Sequence, residues 1–197
     1  MALVFDKVPF YARKALDRSV DVHLRSLAMH GFIAPGYQLL PMCPIPLLTF
    51  VKVPASAMAL RKLVPQSWAV LFRSDKGIGK VELHRSWRPK VAMSARGSHH
   101  IAWLHERLER VASEVATTNA RFVRIPNLHV YALWVTGAEG DRFFVYYRFK
   151  TEYPIPETMG IGEFLSFIGE LRAKKDAAYE RARKRAIERG GRTPTTS

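Results

Sequence analysis

Cysteine is almost missing from this chain: Cys43 is the single thiol among 197 residues. An internal disulfide is therefore impossible, which excludes the disulfide-stapled secreted class and every cysteine-built zinc or iron–sulfur pattern. Cys43 lies between Met42 and Pro44 in an apolar run. A nucleophilic thiolate needs an electropositive setting, so Cys43 reads as a core thiol. Acidic residues are scarce as well, 17 Asp and Glu against 31 Lys and Arg, giving a formal charge of +14. That balance favours polyanionic partners, and no two carboxylates stand out as an acid/base couple.

Catalytic signatures are missing too. There is no G-x-S-x-G elbow. Gly77-Ile78-Gly79-Lys80 resembles a phosphate loop only in part, because Ser74 stands where the Walker pattern needs its first glycine and Val81 where it needs Ser or Thr. This segment also joins two strands and opens no helix, so it reads as a hairpin turn. Gly160-Ile161-Gly162 does precede a helix, but Glu163 beside it would repel an anion, and it reads as a helix start. His99, His100 and His105 lack the i, i+3 or i, i+4 spacing that puts two imidazoles on one helix face, so no metal is expected. No cofactor is implied, and nothing fixes a reaction; the expectation leans away from an enzyme.

A long uninterrupted hydrophobic run is also lacking. Ser26 to Val51 carries no Lys, Arg, Asp or Glu, but Gly31, Pro35, Gly36, Pro41, Pro44 and Pro46 break it. A spanning helix would leave backbone groups unpaired in lipid, so buried extended structure is expected there. Met1 to Phe10 contains Asp6, Lys7 and Pro9, which does not make a secretory signal, and a cytoplasmic location is the default.

What the chain does have is ordinary globular composition, 48% hydrophobic residues, and enough length to bury a core without metal or disulfide. Leu16, Val20, Leu24 and Leu27 recur at helical spacing before Gly31. Leu47 to Val53 has the content of a buried strand, and Ala55 to Val64, bounded by Pro54 and Pro65, reads as a short helix. Two hairpins follow, SWAVLFRS with KVELHRSW and RFVRIPNLHVYALWVT with DRFFVYYRFK, separated by a helix with Ile101, Leu104, Leu108, Val111 and Val115 on one stripe. In the first hairpin Val81 and Leu83 alternate with Glu82 and His84, which reads as one buried face. A last helix covers about Ile161 to Arg189. The two hairpins share a rhythm that suggests internal duplication only weakly.

This order predicts an α+β fold: a mostly antiparallel sheet of about five strands, with ferredoxin-like βαββαβ element order, packed helices and a basic C-terminal helix. The expected divisions are 1–36 as an N-terminal helix and connector, 37–171 as the α+β core, and 172–197 as a basic helical tail, disordered at its end.

Charge is uneven along the chain: 15 basic residues oppose 5 acidic ones in 1–100, 7 oppose 9 in 101–171, and 9 oppose 3 in 172–197. In the tail Arg181, Arg183, Lys184 and Arg185 form a dense patch. Between Arg142 and Lys150, placing Phe143 and Val145 toward the core would turn Phe144, Tyr146, Arg148 and Lys150 the other way, either as an aromatic and cationic surface or as a floor for the C-terminal helix. The stretch lacks the glycines of the RNP1 pattern.

Three functions follow from these residues. The first is a non-catalytic module for a polyanion such as nucleic acid, using Arg181, Arg183, Lys184 and Arg185 for phosphates and Tyr146 and Arg148 on the sheet. The alternative is a small-ligand protein or enzyme with a pocket between sheet and helices, lined by His84, His129 and Tyr131. The third is a structural role in which the tail docks on an acidic protein partner or a second copy.

Overall fold

The computed structural model describes residues 10–31, 33–40, 44–50, 52, 54–75, 77–84, 89–92, 99–114, 119–147 and 156–188. The helical spacing of Val20 and Leu24 produces α1 (Phe10–Met29), which buries both side chains. The Pro-broken run after it stays extended, as β1 (Gln38–Leu39) and β2 (Ile45–Thr49). Next comes α2 (Ala57–Arg61), started by Ser56, whose hydroxyl accepts from the Ala59 amide at 3.2 Å. The hairpin of β3 (Ser67–Ser74) and β4 (Gly77–His84) is followed by β5 (Pro89–Ala92) and α3 (His99–Glu114). Then β6 (Asn119–Ile125) and a single 3-10 turn (Pro126–Leu128) lead into the hairpin of β7 (Val130–Gly137) and β8 (Gly140–Tyr147). β9 (Met159–Gly160) runs straight into α4 (Ile161–Glu188).

The fold is α+β, with a mixed sheet in the order β5-β4-β3-β2-β6-β7-β8-β9 and four helices; β1 pairs separately with the far half of β3. All described pairs are antiparallel except β2 with β6. The five-strand, ferredoxin-like expectation is corrected on two counts. The sheet is wider because the arm read as one strand over 121–136 is divided by the turn Pro126–Leu128 into antiparallel β6 and β7, and because β5 and β9, too short to read from their sequence, extend the edges. The strand order also differs, since β2 and β3 are direct antiparallel neighbours. A crossover helix must travel back along its strand, and the five residues of α2 rise only about 7.5 Å against roughly 17 Å for a five-residue strand. The chain turns back instead.

The two hairpins superpose in register with an offset of 63 residues: 67–74 and 77–84 correspond to 130–137 and 140–147. Each has a two-residue connection closed by a glycine at positive φ, +103° at Gly77 and +95° at Gly140. The equivalence extends to packing. Trp68, Val70, Phe72 and Val81 lie under α1 with Val20 and Leu24, and their counterparts Tyr131, Leu133, Val135 and Phe144 lie under α3 with Ile101, Leu104, Leu108 and Val111. The other face of the second hairpin packs on α4, where Phe164 stacks on Phe143 at 4.2 Å between ring centroids. β2 therefore sits between α3 and α4, with Leu47 toward one and Leu48 toward the other, and its near-continuous apolar run matches burial on both faces.

Asp141 ties α2 to the second hairpin. It accepts from Arg61 Nε at 2.9 Å, Trp134 Nε1 at 2.8 Å and Thr136 Oγ1 at 3.1 Å. Burial pushes this carboxyl up, but the hydrogen bonds from Arg61, Trp134 and Thr136 outweigh it and hold it below its ordinary value. No helix among the described residues is long and apolar enough to cross a membrane.

Of the glycines in the partial phosphate-loop pattern, Gly77 serves the turn at positive φ and Gly79 has a packing cause. Gly79 pairs with Phe72 across the hairpin, and a Cβ at Gly79 would lie 2.2 Å from the Phe72 Cζ atom. Gly79→Ala should therefore cost about 1–3 kcal/mol through displacement of the Phe72 ring. Urea denaturation of the two proteins reads this difference, and equal stability would show that the ring relaxes freely.

Candidate functional site

The sheet face under α3 changes character abruptly along the strand direction. One cross-strand row, Leu47–Phe122–Leu133–Phe144, is apolar and buried. The row two residues further, Thr49–Arg124–Tyr131–Tyr146, is polar and only half-buried on all four strands β2, β6, β7 and β8. Side chains two apart on a strand share a face, so the second row continues the first at the margin of the core. Tyr131 stacks on Phe122, with centroids 6.1 Å apart and planes 13° from parallel. Tyr146 lies 6.2 Å from Tyr131 and 5.7 Å from Trp103 of α3.

Arg124 turns from this row toward β4. Its guanidinium makes a two-pronged contact with Glu82, Nη1 to Oε2 at 3.0 Å and Nη2 to Oε1 at 3.1 Å, and donates to Thr49 Oγ1 at 3.2 Å. Ser67 donates its hydroxyl to Glu82 at 3.3 Å, and Lys80 Nζ lies 3.4 Å from the same carboxylate and 5.7 Å from the centroid of the Phe122 ring. Lys80 and Glu82 are 2% and 4% exposed. The ion pair reaches from β4 to β6 over two intervening strands, and the small side chains of Ser67 and Ala69 leave it room. The Nε of Arg124 is buried with no acceptor among the described residues.

Burial pushes the Glu82 carboxyl up, but the charges of Lys80 and Arg124 outweigh it, and it titrates below its ordinary 4.5. Burial also pulls the Lys80 ammonium below its ordinary 10.5; Glu82 resists that fall and Arg124 adds to it. Among the described residues the cluster holds Lys80 and Arg124 against Glu82.

The second feature is the outer part of α4. Phe164, Phe167, Ile168 and Leu171 fix its first turns to the sheet, and Lys175 donates to the Asn127 carbonyl at 2.9 Å. Its start carries the carboxylate of Glu163, which accepts from the Gly160 amide at 2.7 Å. Beyond Leu171 the helix is exposed except for half-buried Tyr179 and Ala186. Arg172 is held by Asp176 and Arg183 by Glu180, each at 3.8 Å. Arg181, Lys184 and Arg185 are exposed and have no ion-pair partner among the described residues. At 100° per residue Lys174, Arg181 and Arg185 share one side of the helix.

The structure separates the residues expected to act together. Arg148 lies outside the described residues, and Tyr146 is half-buried beside α3, on the opposite face of the sheet from α4. Both faces of β8 are covered: α4 packs on Phe143 and Val145, and α3 packs on Phe144. Of the proposed pocket residues, Tyr131 stands in the polar row. His129 is exposed in the turn before β7, in left-handed backbone at φ 54°. His84 pairs through its backbone with Ser67, and its side chain lies outside the described residues. Since β3, β2 and β6 separate their strands, the two histidines stand roughly 19 Å apart across the sheet. Cys43 also lies outside the described residues, as do the side chains of His99 and His100. His105 is buried, 3.4 Å from Glu109. No cluster of three potential metal ligands occurs among the described residues.

Sequence reading missed Lys80, Glu82, Arg124, Ser67 and Thr49. The alternation of Val81 and Leu83 with Glu82 was visible, but it marked the Glu82 face as open to solvent, and α3 covers that face. The available signal was an Arg inside the apolar strand RFVRI together with a Lys and a Glu in phase on another strand. No protein-family model, curated protein or solved structure matches the chain.

Removing one member of the cluster should have opposite consequences at its two ends. Glu82→Ala leaves two buried cations facing each other and should cost about 3–5 kcal/mol, whereas Lys80→Met should cost under about 1 kcal/mol or stabilise. Both shifted groups bind a proton more readily in the unfolded chain than in the folded one, so stability should rise with pH. The Glu82 contribution is present above about 4.5 and is lost as pH falls through its depressed value. The Lys80 penalty fades as pH approaches 10.5. Urea midpoints measured from acid to alkaline pH check this, and Lys80→Met should flatten the alkaline rise.

Proposed function

We propose that the protein is a nucleic-acid-binding module whose contact element is the outer half of α4. The observation that carries this reading is the set of cations at Arg181, Lys184 and Arg185, which have no ion-pair partner among the described residues and lie on an exposed helix, while neighbouring Arg172 and Arg183 are held by acidic residues of the same helix. A solvated helix without a partner gains from alternating its charges, and this one concentrates them. Residues 172–188 project over about 25 Å, and a helix is about 10–12 Å wide, dimensions suited to lying along a phosphate backbone or in a major groove.

Ala177, Ala178 and Ala182 flank the cations, where insertion into a bilayer surface would call for bulky apolar groups, so phosphate chains fit the helix better than lipid. Sequence preference is not an expectation of this geometry. Phosphate contacts fix position and carry no base information. The sheet contributes little to this surface, because Phe144 is buried and Tyr146 packs against α3.

Fluorescence anisotropy of the full chain with labelled duplex DNA and single-stranded RNA, measured across a salt series, tests this. With Arg181, Lys184 and Arg185 each neutralising one phosphate, the log–log salt slope on duplex should be about −2.7. The triple variant Arg181→Glu, Lys184→Glu, Arg185→Glu should reduce that slope by about 2.7 and abolish binding near physiological salt. Unchanged binding by the folded triple variant would place the contact elsewhere. No binding by the parent chain at low salt would leave the cations as a solubility device.

A further inference from the structure

We propose that α4 takes B-form duplex DNA in its major groove, in preference to single strands and to duplex RNA. This rests on the nucleic-acid reading of α4 and names its substrate class.

The sheet does not need the outer turns of this helix. The apolar anchors Ile101, Leu104 and Leu108 of α3 have counterparts at the same 63-residue offset in Phe164, Phe167 and Leu171 of α4, and both sets pack on the sheet. α3 ends at Glu114, which corresponds to Ala177 of α4. Residues 178–188 therefore extend α4 past the length that covers the sheet, and the extension carries Arg181, Lys184 and Arg185.

Ring content decides between a single strand and a duplex. Single-strand sites hold bases by stacking them on aromatic side chains. Tyr179 is the only ring from Arg172 to Glu188, and it is half-buried with a contact of its own. What the helix offers is charge, and a duplex presents about one phosphate per 1.7 Å of axis against about one per 3.4 Å for a lone strand.

Direction and bulk decide between the two duplexes. At about 100° per residue, half-buried Tyr179 and Ala186 mark one side of the outer turns, and Arg181, Lys184 and Arg185 fall within an arc of about 100° centred roughly 160° away from them. Asp176 and Glu180, which hold Arg172 and Arg183, lie off that arc, and Glu188 closes its far end. The same side carries exposed Ala177 and Ala178, so short side chains lead and long cations flank them. A helix about 10–12 Å wide enters the B-form major groove, about 12 Å wide, with its cations reaching the bordering phosphates. The A-form major groove is deep and narrow and does not admit it.

Fluorescence anisotropy of the full chain at one low salt concentration tests this with three labelled probes of a single sequence: a DNA duplex, the matching RNA duplex and one DNA strand. The DNA duplex should bind at least about tenfold more tightly than either of the others. Ala177→Phe and Ala178→Phe add bulk to the leading side without removing charge. In each variant, folded by circular dichroism, the DNA duplex should weaken at least about fivefold while the single strand is unchanged or tighter, since the new ring can stack on a base. Equal affinity for the three probes, or tighter binding of the RNA duplex or the strand, with all of it lost in the triple α4 variant, would overturn the duplex assignment and leave the nucleic-acid reading standing. Undiminished duplex affinity in Ala177→Phe and Ala178→Phe would also overturn it, because the contact would then run along the backbone outside the groove. No binding to any probe would overturn the reading on which the assignment rests, and the assignment with it.

Discussion

One buried contact joins the two halves of this molecule: the pronged pair between Glu82 on β4 and Arg124 on β6, which spans two strands beneath α3. The backbone joint between the halves is short, three register pairs between β2 and β6. A register slip there would move Arg124 to the other face of the sheet and leave Glu82 and Lys80 buried without it. Buried charged pairs add little net stability, because desolvation offsets their attraction, yet an unpaired buried charge is severely penalised. The contact therefore acts chiefly on specificity: it makes the wrong pairing of two otherwise similar hairpin units expensive. Around it the apolar packing is generic, with Leu47 under α3 and Leu48 under α4.

Local signals were legible in the sequence, and long-range ones were not. Apolar spacing marked α1, α3 and α4 and both glycine-closed hairpins, because periods of 3.6 and 2 are properties of neighbouring residues, whereas the turn at Pro126–Leu128 that splits 121–136 into β6 and β7 was hidden by apolar residues on both sides of it. Sheet order was hidden, since it depends on which strands meet after the helices pack. Nothing local in Ile45–Thr49 says that it will lie beside Asn119–Ile125 and run parallel to it. The two hairpins share strand lengths and positive-φ glycines at Gly77 and Gly140. The charged cluster escaped notice for a related reason. Glu82 alternating with Val81 looks like a solvent face until a second layer, α3, is placed over it.

The protein holds its cations in two different ways. On α4 the cations are exposed, on long flexible side chains, and screened by salt; such a surface suits a repeating phosphate chain that meets many charges weakly. Under α3 Lys80 and Arg124 are held by Glu82, and Arg124 also donates to Thr49, so these cations are spent on the fold's own register. The slightly acidic middle of the sequence supplies much of the sheet and the ties that hold it, Asp141 to Arg61 and Glu157 to Arg107 and Arg110. The acidic middle thus lies between a basic first half, which supplies β1–β5, and the basic projecting helix.

Amide chemical-shift mapping of the isotopically labelled full chain, titrated with a short single-stranded oligonucleotide at low salt, addresses the nucleic-acid assignment most directly. Perturbations should be confined to residues 172–188 of α4, with β4, β6 and β7 unmoved. Shifts centred on the sheet around Arg124, or a spectrum that does not change, would contradict it.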